Sequence, residues 1–209
     1  MSNGGGAERR GRFVVFEGGE GSGKSTQAAR LAQAWGATLT RQPGGTAMGA
    51  LVRSVLLDPA TGDLDPKAEA LLMAADRAQH VTEMIEPLLA AGVDVICDRY
   101  SGSQVAYQGY GRGLDPAEVA RLSSWAAGGR EPDVVVLLVV PPEVSAARLG
   151  GELDRFEAAG AEFHRRVVDG FLTQAADDPE RWVVIDGTGT VDEVSTRVDD
   201  AVERRWPVE

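Results

Sequence analysis

A chain of 209 residues, 43% of them hydrophobic and 25% charged, can hold one α/β domain with a sizeable core, and its composition excludes wholesale disorder. The net charge of −11 argues against a general nucleic-acid surface, which needs a basic face, although a few placed cations can still hold a phosphate. Only two of the 21 basic residues are lysines, Lys24 and Lys67, and the single cysteine, Cys97, allows no internal disulfide, so a reducing cytoplasm is the expected compartment.

Residues 1–11 carry a glycine run and Arg9-Arg10 but no apolar segment, and they read as a disordered polar tail rather than a secretory signal. No stretch approaches the ~20 apolar residues of a membrane span. Residues 12–209 read as a single domain. Its first element is a buried strand at 13–17, bounded by glycines, then a helix at 24–35 and a short strand at 38–41. After the Pro43-Gly44-Gly45 turn a helix is expected over 46–57, with Thr46 at its cap. The longest helical stretch is 66–90, with Pro87 kinking it near its end. Strands follow at 93–98, 133–140 and 182–185, and helices at 116–127, 142–149, 154–176 and 191–205. The strand at 133–140 is almost entirely valine and leucine, as expected when both faces of a parallel sheet are covered. This alternation predicts a doubly wound, three-layer α/β fold with a parallel sheet of about five strands, whose ligands sit beyond the strands' carboxyl ends.

That edge carries the chemistry. Gly18-Gly19-Glu20-Gly21-Ser22-Gly23-Lys24-Ser25 matches G-x-x-x-x-G-K-[ST] in full, between a strand and a helix, as a phosphate loop requires. Glycines let backbone N–H groups converge on an anion, the helix N-terminus adds positive charge, Lys24 reaches the β- and γ-phosphates of ATP, and the Ser25 hydroxyl is a ligand for Mg²⁺. Asp98-Arg99 closes the third strand, where a second acid for the metal and an arginine fork for a phosphate are expected. A guanine-reading N-K-x-D element is absent, since the only asparagine is Asn3. A small phosphotransferase remains. Cys97, inside an apolar strand, reads as a core residue, and two histidines with one cysteine make a zinc site improbable.

Six blocks in order carry a resemblance to a known family: residues 16–26, Thr40-Arg41-Gln42-Pro43-Gly44-Gly45-Thr46, Ala74-Ala75-Asp76-Arg77-Ala78-Gln79-His80, Asp98-Arg99-Tyr100, Ala106-Tyr107-Gln108-Gly109, and residues 151–157. Across nearly its whole length the chain resembles the thymidylate kinase family. The resemblance implies a phosphate-loop NTPase fold, ATP and dTMP as substrates, Mg²⁺ as cofactor, no nucleic-acid or membrane partner, and a homodimer. It implies that Arg99 and Arg53 hold the acceptor's phosphate, that Arg77 meets a thymine carbonyl, and that Tyr100 packs against the deoxyribose. Glu20 and Glu157 would lie near the sugar hydroxyl. Gln104 and Gln108 would offer amide contacts, with Pro43, Met73 and Tyr107 completing the acceptor site. Gly18 to Gly23, Lys24, Ser25, Thr26 and Arg148 would bind the nucleotide donor. A lid at about 148–156 would supply the catalytic arginine, Arg155 being favoured over Arg148, beside Lys24, Asp98 and Arg99. Two positions depart from the family's pattern: Met73 stands where a phenylalanine usually stacks on the base, and Gln42 replaces a glutamate. They leave open a kinase for another monophosphate such as dUMP, and the lid, shorter than in relatives with several arginines, leaves open a nucleotide-binding regulator without turnover.

Overall fold

The computed structural model describes residues 9–150 and 154–206. Five strands, β1 (Phe13–Glu17), β2 (Thr38–Arg41), β3 (Val95–Asp98), β4 (Val134–Val139) and β5 (Trp182–Asp186), form one parallel sheet in the order β2-β3-β1-β4-β5. β1 lies at its centre with all five residues buried, which is why its sequence is apolar throughout rather than alternating. Successive side chains go to opposite faces. Val14, Phe16, Ile96, Val134 and Val136 pack under α1 (Lys24–Trp35) and α9 (Val191–Glu203), whereas Phe13, Val15, Val95, Cys97 and Val135 meet Val81, Ile85 and Leu89 on the other face. Register then aligns the functional edge: Phe16 and Arg41 both pair with Asp98, so the chain leaves three neighbouring strands at one level.

α2 (Ala47–Leu57) begins as expected, with the Thr46 hydroxyl accepting from Gly49 N. α3 (Pro66–His80) does not run unbroken to residue 90. A wide π-helical turn at Val81–Ile85 separates it from α4 (Glu86–Ala90). Pro87 has no N–H to give and its ring crowds the carbonyl four residues back, so the register widens just ahead of it. β3 starts at Val95 rather than Val93, because the Asp94 carboxylate turns to Arg12, accepting from its N at 2.7 Å and its Nε at 3.0 Å.

One element has no forerunner in the sequence pattern. α5 (Ser101–Gln104) continues as a wide turn over Val105–Gly111, ahead of α6 (Pro116–Ala126) and α7 (Pro142–Arg148). The helix expected over 154–176 begins only at Ala161, as α8 (Ala161–Asp177). Before it, Asp154 Oδ1 accepts from the N–H groups of Phe156 and Glu157, making a separate short turn that ends at Gly160 with φ 87°. Of the expected tail, residues 9–11 are held: Gly11 N donates to Leu89 O, and Arg9 and Arg10 pair with Asp94 and Asp133. Residues 1–8 lie outside the described residues.

Candidate active site

Between β1 and α1 the backbone turns through Gly21 (φ 66°) and Gly23 (φ 92°), left-handed conformations that disfavour any side chain. A Cβ on Gly21 would also come 2.7 Å from Ser145 O, so α7 can back directly onto the loop. Ser145 Oγ donates to Glu20 O at 2.7 Å, and Arg148 donates to Gly21 O at 3.3 Å and Gly187 O at 3.1 Å. Lys24 is buried, donates to Gly19 O at 3.2 Å and lies 3.6 Å from the Glu20 carboxylate. Burial, then the charge of Arg99, pulls its pKa down, with Glu20 and Asp98 opposing. An ammonium so placed gains most from an added anion.

Ser25 Oγ donates to Asp98 Oδ2 at 2.5 Å, and Asp98 Oδ1 is buried with no partner among the described residues. Two hard oxygens side by side, one carboxylate lone pair unmet, suit a small divalent cation that keeps most of its waters. Among the described residues no group of three or more His, Cys, Asp or Glu is placed to hold a metal ion.

Arg99 sits at φ 70°, a strained position for a side-chain-bearing residue, and the surroundings explain how it is kept there. Its guanidinium donates to Gly18 O at 3.0 Å, Ser103 Oγ at 3.0 Å and Glu20 Oε1 at 2.6 Å. Behind it, the fully buried Glu17 carboxylate accepts from Tyr100 N, Ser103 N and Ser103 Oγ, clamping the turn from strand into helix. Burial raises the pKa of Glu17 despite these bonds. Burial also pushes Glu20 upward, but Arg99 and Lys24, with bonds from Tyr107 and Arg99, overcome it and hold that carboxyl at about 2.

Beside this cluster a cleft is lined by Pro43, Arg53, Met73, Arg77, Tyr100 and Gln104, among others. Met73 and Arg77, one helical turn apart on α3, face it together. Arg77 is buried, donates to Gln104 Oε1 and to Ser123 Oγ, and lies over the Tyr100 ring at 5.1 Å. Its Nε has no partner among the described residues. Arg53 reaches in from α2 and donates to Pro43 O at 3.0 Å. A second cavity, lined by Lys24, Ser25 and Asp98, adjoins the first; Glu20, Gln42, Arg53 and Arg99 line both. Two pockets that share a cationic seam can bring two phosphate-bearing ligands end to end.

The family model described as thymidylate kinase matches residues 16–198. The chain belongs to the thymidylate kinase family. It is 47% identical over 194 residues to the thymidylate kinase of Cutibacterium acnes, covering 90% of this chain and 94% of that relative. It is 48% identical over 205 residues to the thymidylate kinase of Oleidesulfovibrio alaskensis, covering 91% and 96%. The crystal structure of thymidylate kinase from Ehrlichia chaffeensis superposes with a TM-score of 0.77 at 32% identity, covering 93% of this chain and 99% of that one.

Not every residue carried over from the family's pattern reaches the cleft. Gln108 is buried behind it, donating to Glu69 Oε1 at 2.8 Å, and the Glu157 carboxylate accepts from Asp154 N at 3.0 Å. Asp154 and Phe156 line the cleft instead. Arg155 points away from the phosphate loop, donating to Leu56 O at 2.8 Å and pairing with Glu69 at 2.5 Å. Thr26 is exposed on the first turn of α1. Of the expected lid at 148–156, residues 151–153 lie outside the described residues. Glu17, Asp76 and Ser103 are not among the site residues expected from the sequence. Glu17 was legible as a charge ending an otherwise apolar strand, and Asp76 as an acid beside Arg77. Asp76 Oδ1 accepts from Gly44 N at 2.9 Å, tying α3 to the Pro-Gly-Gly turn.

Proposed function

We propose that the chain transfers the γ-phosphoryl group of ATP to the 5′-phosphate of dTMP, giving ADP and dTDP. The observation that carries the reading is the placement of Arg99, which lines both cavities and contacts the phosphate-loop carboxylate Glu20. The loop N–H groups and Lys24 receive the donor's phosphates, and Ser25 and Asp98 would hold Mg²⁺, which supplies charge neutralisation on the donor. Arg99 and Arg53 receive the acceptor's phosphate, Arg77 meets the thymine edge, Met73 covers its face, and Tyr100 bounds the sugar. The acceptor oxygen is already anionic at neutral pH, so positioning and charge stabilisation suffice without a strong base. Glu20 must release Lys24 and Arg99 as phosphates arrive, which leaves its carboxylate free for the sugar hydroxyl. Of the two lid arginines we assign the donor-side role to Arg148, already against Gly21 O, while Arg155 is engaged by Glu69.

The protein is also read as a homodimer of the cytoplasm. The outer side of α2 is uncharged and exposes Leu51 and Val55, and the adjoining α3 and α6 expose Leu71 and Trp125. Cys97 is buried as a free thiol, and no helix among the described residues is long and apolar enough to cross a membrane.

The test is ADP formation with Mg²⁺ and a panel of monophosphates: thymidine, deoxyuridine, deoxycytidine, deoxyguanosine, adenosine and uridine. Turnover is expected to be highest with dTMP and to fall by about 10³-fold or more in Lys24→Ala. Faster turnover of another acceptor would leave the mechanism standing and remove dTMP as the preferred acceptor.

A further inference from the structure

The seam between the two cavities contains one neutral residue. Glu20, Arg53 and Arg99 are charged and each is engaged: Glu20 with Arg99 and Tyr107, Arg53 with Pro43 O, Arg99 with three oxygens. The fourth, Gln42, is only 4% exposed, yet neither its Oε1 nor its Nε2 has a hydrogen-bond partner among the described residues. Its backbone is well fixed, with Gln42 N donating to Asp98 O at 3.0 Å and so prolonging the β2–β3 ladder by one residue. Strand alternation then turns Arg41 outward and Gln42 inward. A buried primary amide carries two donors and an acceptor, and leaving all of them unmet is costly, so such a group calls for an occupant.

Resting on the reading above, we infer that Gln42 is a ligand of the acceptor's phosphate, its amide N–H donating to a phosphate oxygen between Arg53 and Arg99. The surroundings favour an anion that comes with the substrate: burial, then the like charges of Arg41 and Arg99, weigh against the charged form of Arg53. A neutral donor here binds a phosphate without adding to that repulsion. A carboxylate in its place would pair with the arginines and oppose the incoming dianion. Gln42 is thus a determinant of acceptor-phosphate affinity that acts separately from recognition of the base.

The experiment compares binding of dTMP and of thymidine, which lacks the phosphate, by calorimetry in the wild-type protein, Gln42→Leu and Gln42→Glu. For Gln42→Leu the preference for dTMP over thymidine should drop about tenfold, with thymidine affinity and KM for ATP unchanged. In Gln42→Glu it should drop as well, because a carboxylate has no N–H to donate to the phosphate. The near-isosteric Gln42→Glu carries the test alone if Gln42→Leu fails to fold. A preference for dTMP left unchanged by both substitutions, in a protein that still turns dTMP over, would overturn the assignment and leave the proposed function intact. A wild-type protein with no preference for dTMP over thymidine would overturn both.

Discussion

The guanidinium of Arg155 is one of three polar partners around Glu69, a carboxylate with no exposure that also takes Gln108 and Arg112, the latter at 3.1 Å. A charge without water contact depends on that whole shell, and removing one member leaves it short of a charged partner. Arg155→Ala should therefore lower stability by about 3 kcal/mol in urea titrations while changing kcat by less than about threefold under conditions where the variant is folded. Arg148 is placed differently, with its guanidinium against the carbonyls of Gly21 and Gly187 at the mouth of the loop. Arg148→Ala should barely move the urea midpoint and reduce kcat/KM for ATP about tenfold or more. If Arg155→Ala were stable and catalytically dead, the phosphoryl-facing role would return to Arg155.

At the scale of elements, the Pro-Gly-Gly turn rests on α3 through His80. The ring is fully buried and its Nε2 lies 2.7 Å from Thr40 Oγ1, and a Cβ on Gly45 would overlap the ring, so the turn lies flat against it. Burial, then the charge of Arg77, depresses the His80 pKa from the usual 6.5 to about 4. The unfolded chain takes up the proton below about 6.5 and the folded one only below about 4, so stability falls as pH drops through that window and rises again on returning to neutrality. The loss attributable to His80 is on the order of 3 kcal/mol, and urea midpoints across the window should show it. In His80→Gln that slope should shrink; a slope of full size in the variant would place the acid sensitivity elsewhere. Elements of this kind differ in how far they could be read from sequence. The three inner strands, β3, β1 and β4, were legible because burial on both faces leaves unbroken apolar runs, and the phosphate loop because its geometry is local. The helix from Ser101 into Gly111 was not, since Gly102, Gly109 and Gly111 depress helix propensity. Those glycines answer to distant partners: a Cβ on Gly102 would meet the Trp182 ring at 2.6 Å, and one on Gly111 the Phe163 ring at 2.6 Å. Likewise the family's pattern pointed to the segments holding Gln108 and Arg155, but only tertiary packing shows that their side chains turn to Glu69.

For the whole molecule, three of the exposed apolar side chains sit on the two helices that line the acceptor cleft. α2 sends Arg53 inward and presents Leu51 and Val55 outward, while α3 sends Met73 and Arg77 inward and presents Leu71 outward. A leucine that goes from exposed to buried stabilises by about 2 kcal/mol, so two copies meeting through these faces would gain from every such residue twice. The same contact would brace the helices from behind and hold their inward residues at a fixed separation across the cleft. Leu51→Glu places a carboxylate at the middle of that surface, and its like-charged copy would face it across a two-fold axis. Sedimentation at micromolar concentration should show the wild-type chain at twice its monomer mass and Leu51→Glu at the monomer mass. Because α2 and α3 line the acceptor site whereas Lys24 and Ser25 stand on α1, the variant should lose affinity for dTMP while its KM for ATP stays near the wild-type value. A monomeric wild-type chain would remove the dimer. A monomeric variant with unaltered dTMP affinity would keep the dimer and show that each cleft holds its shape without it.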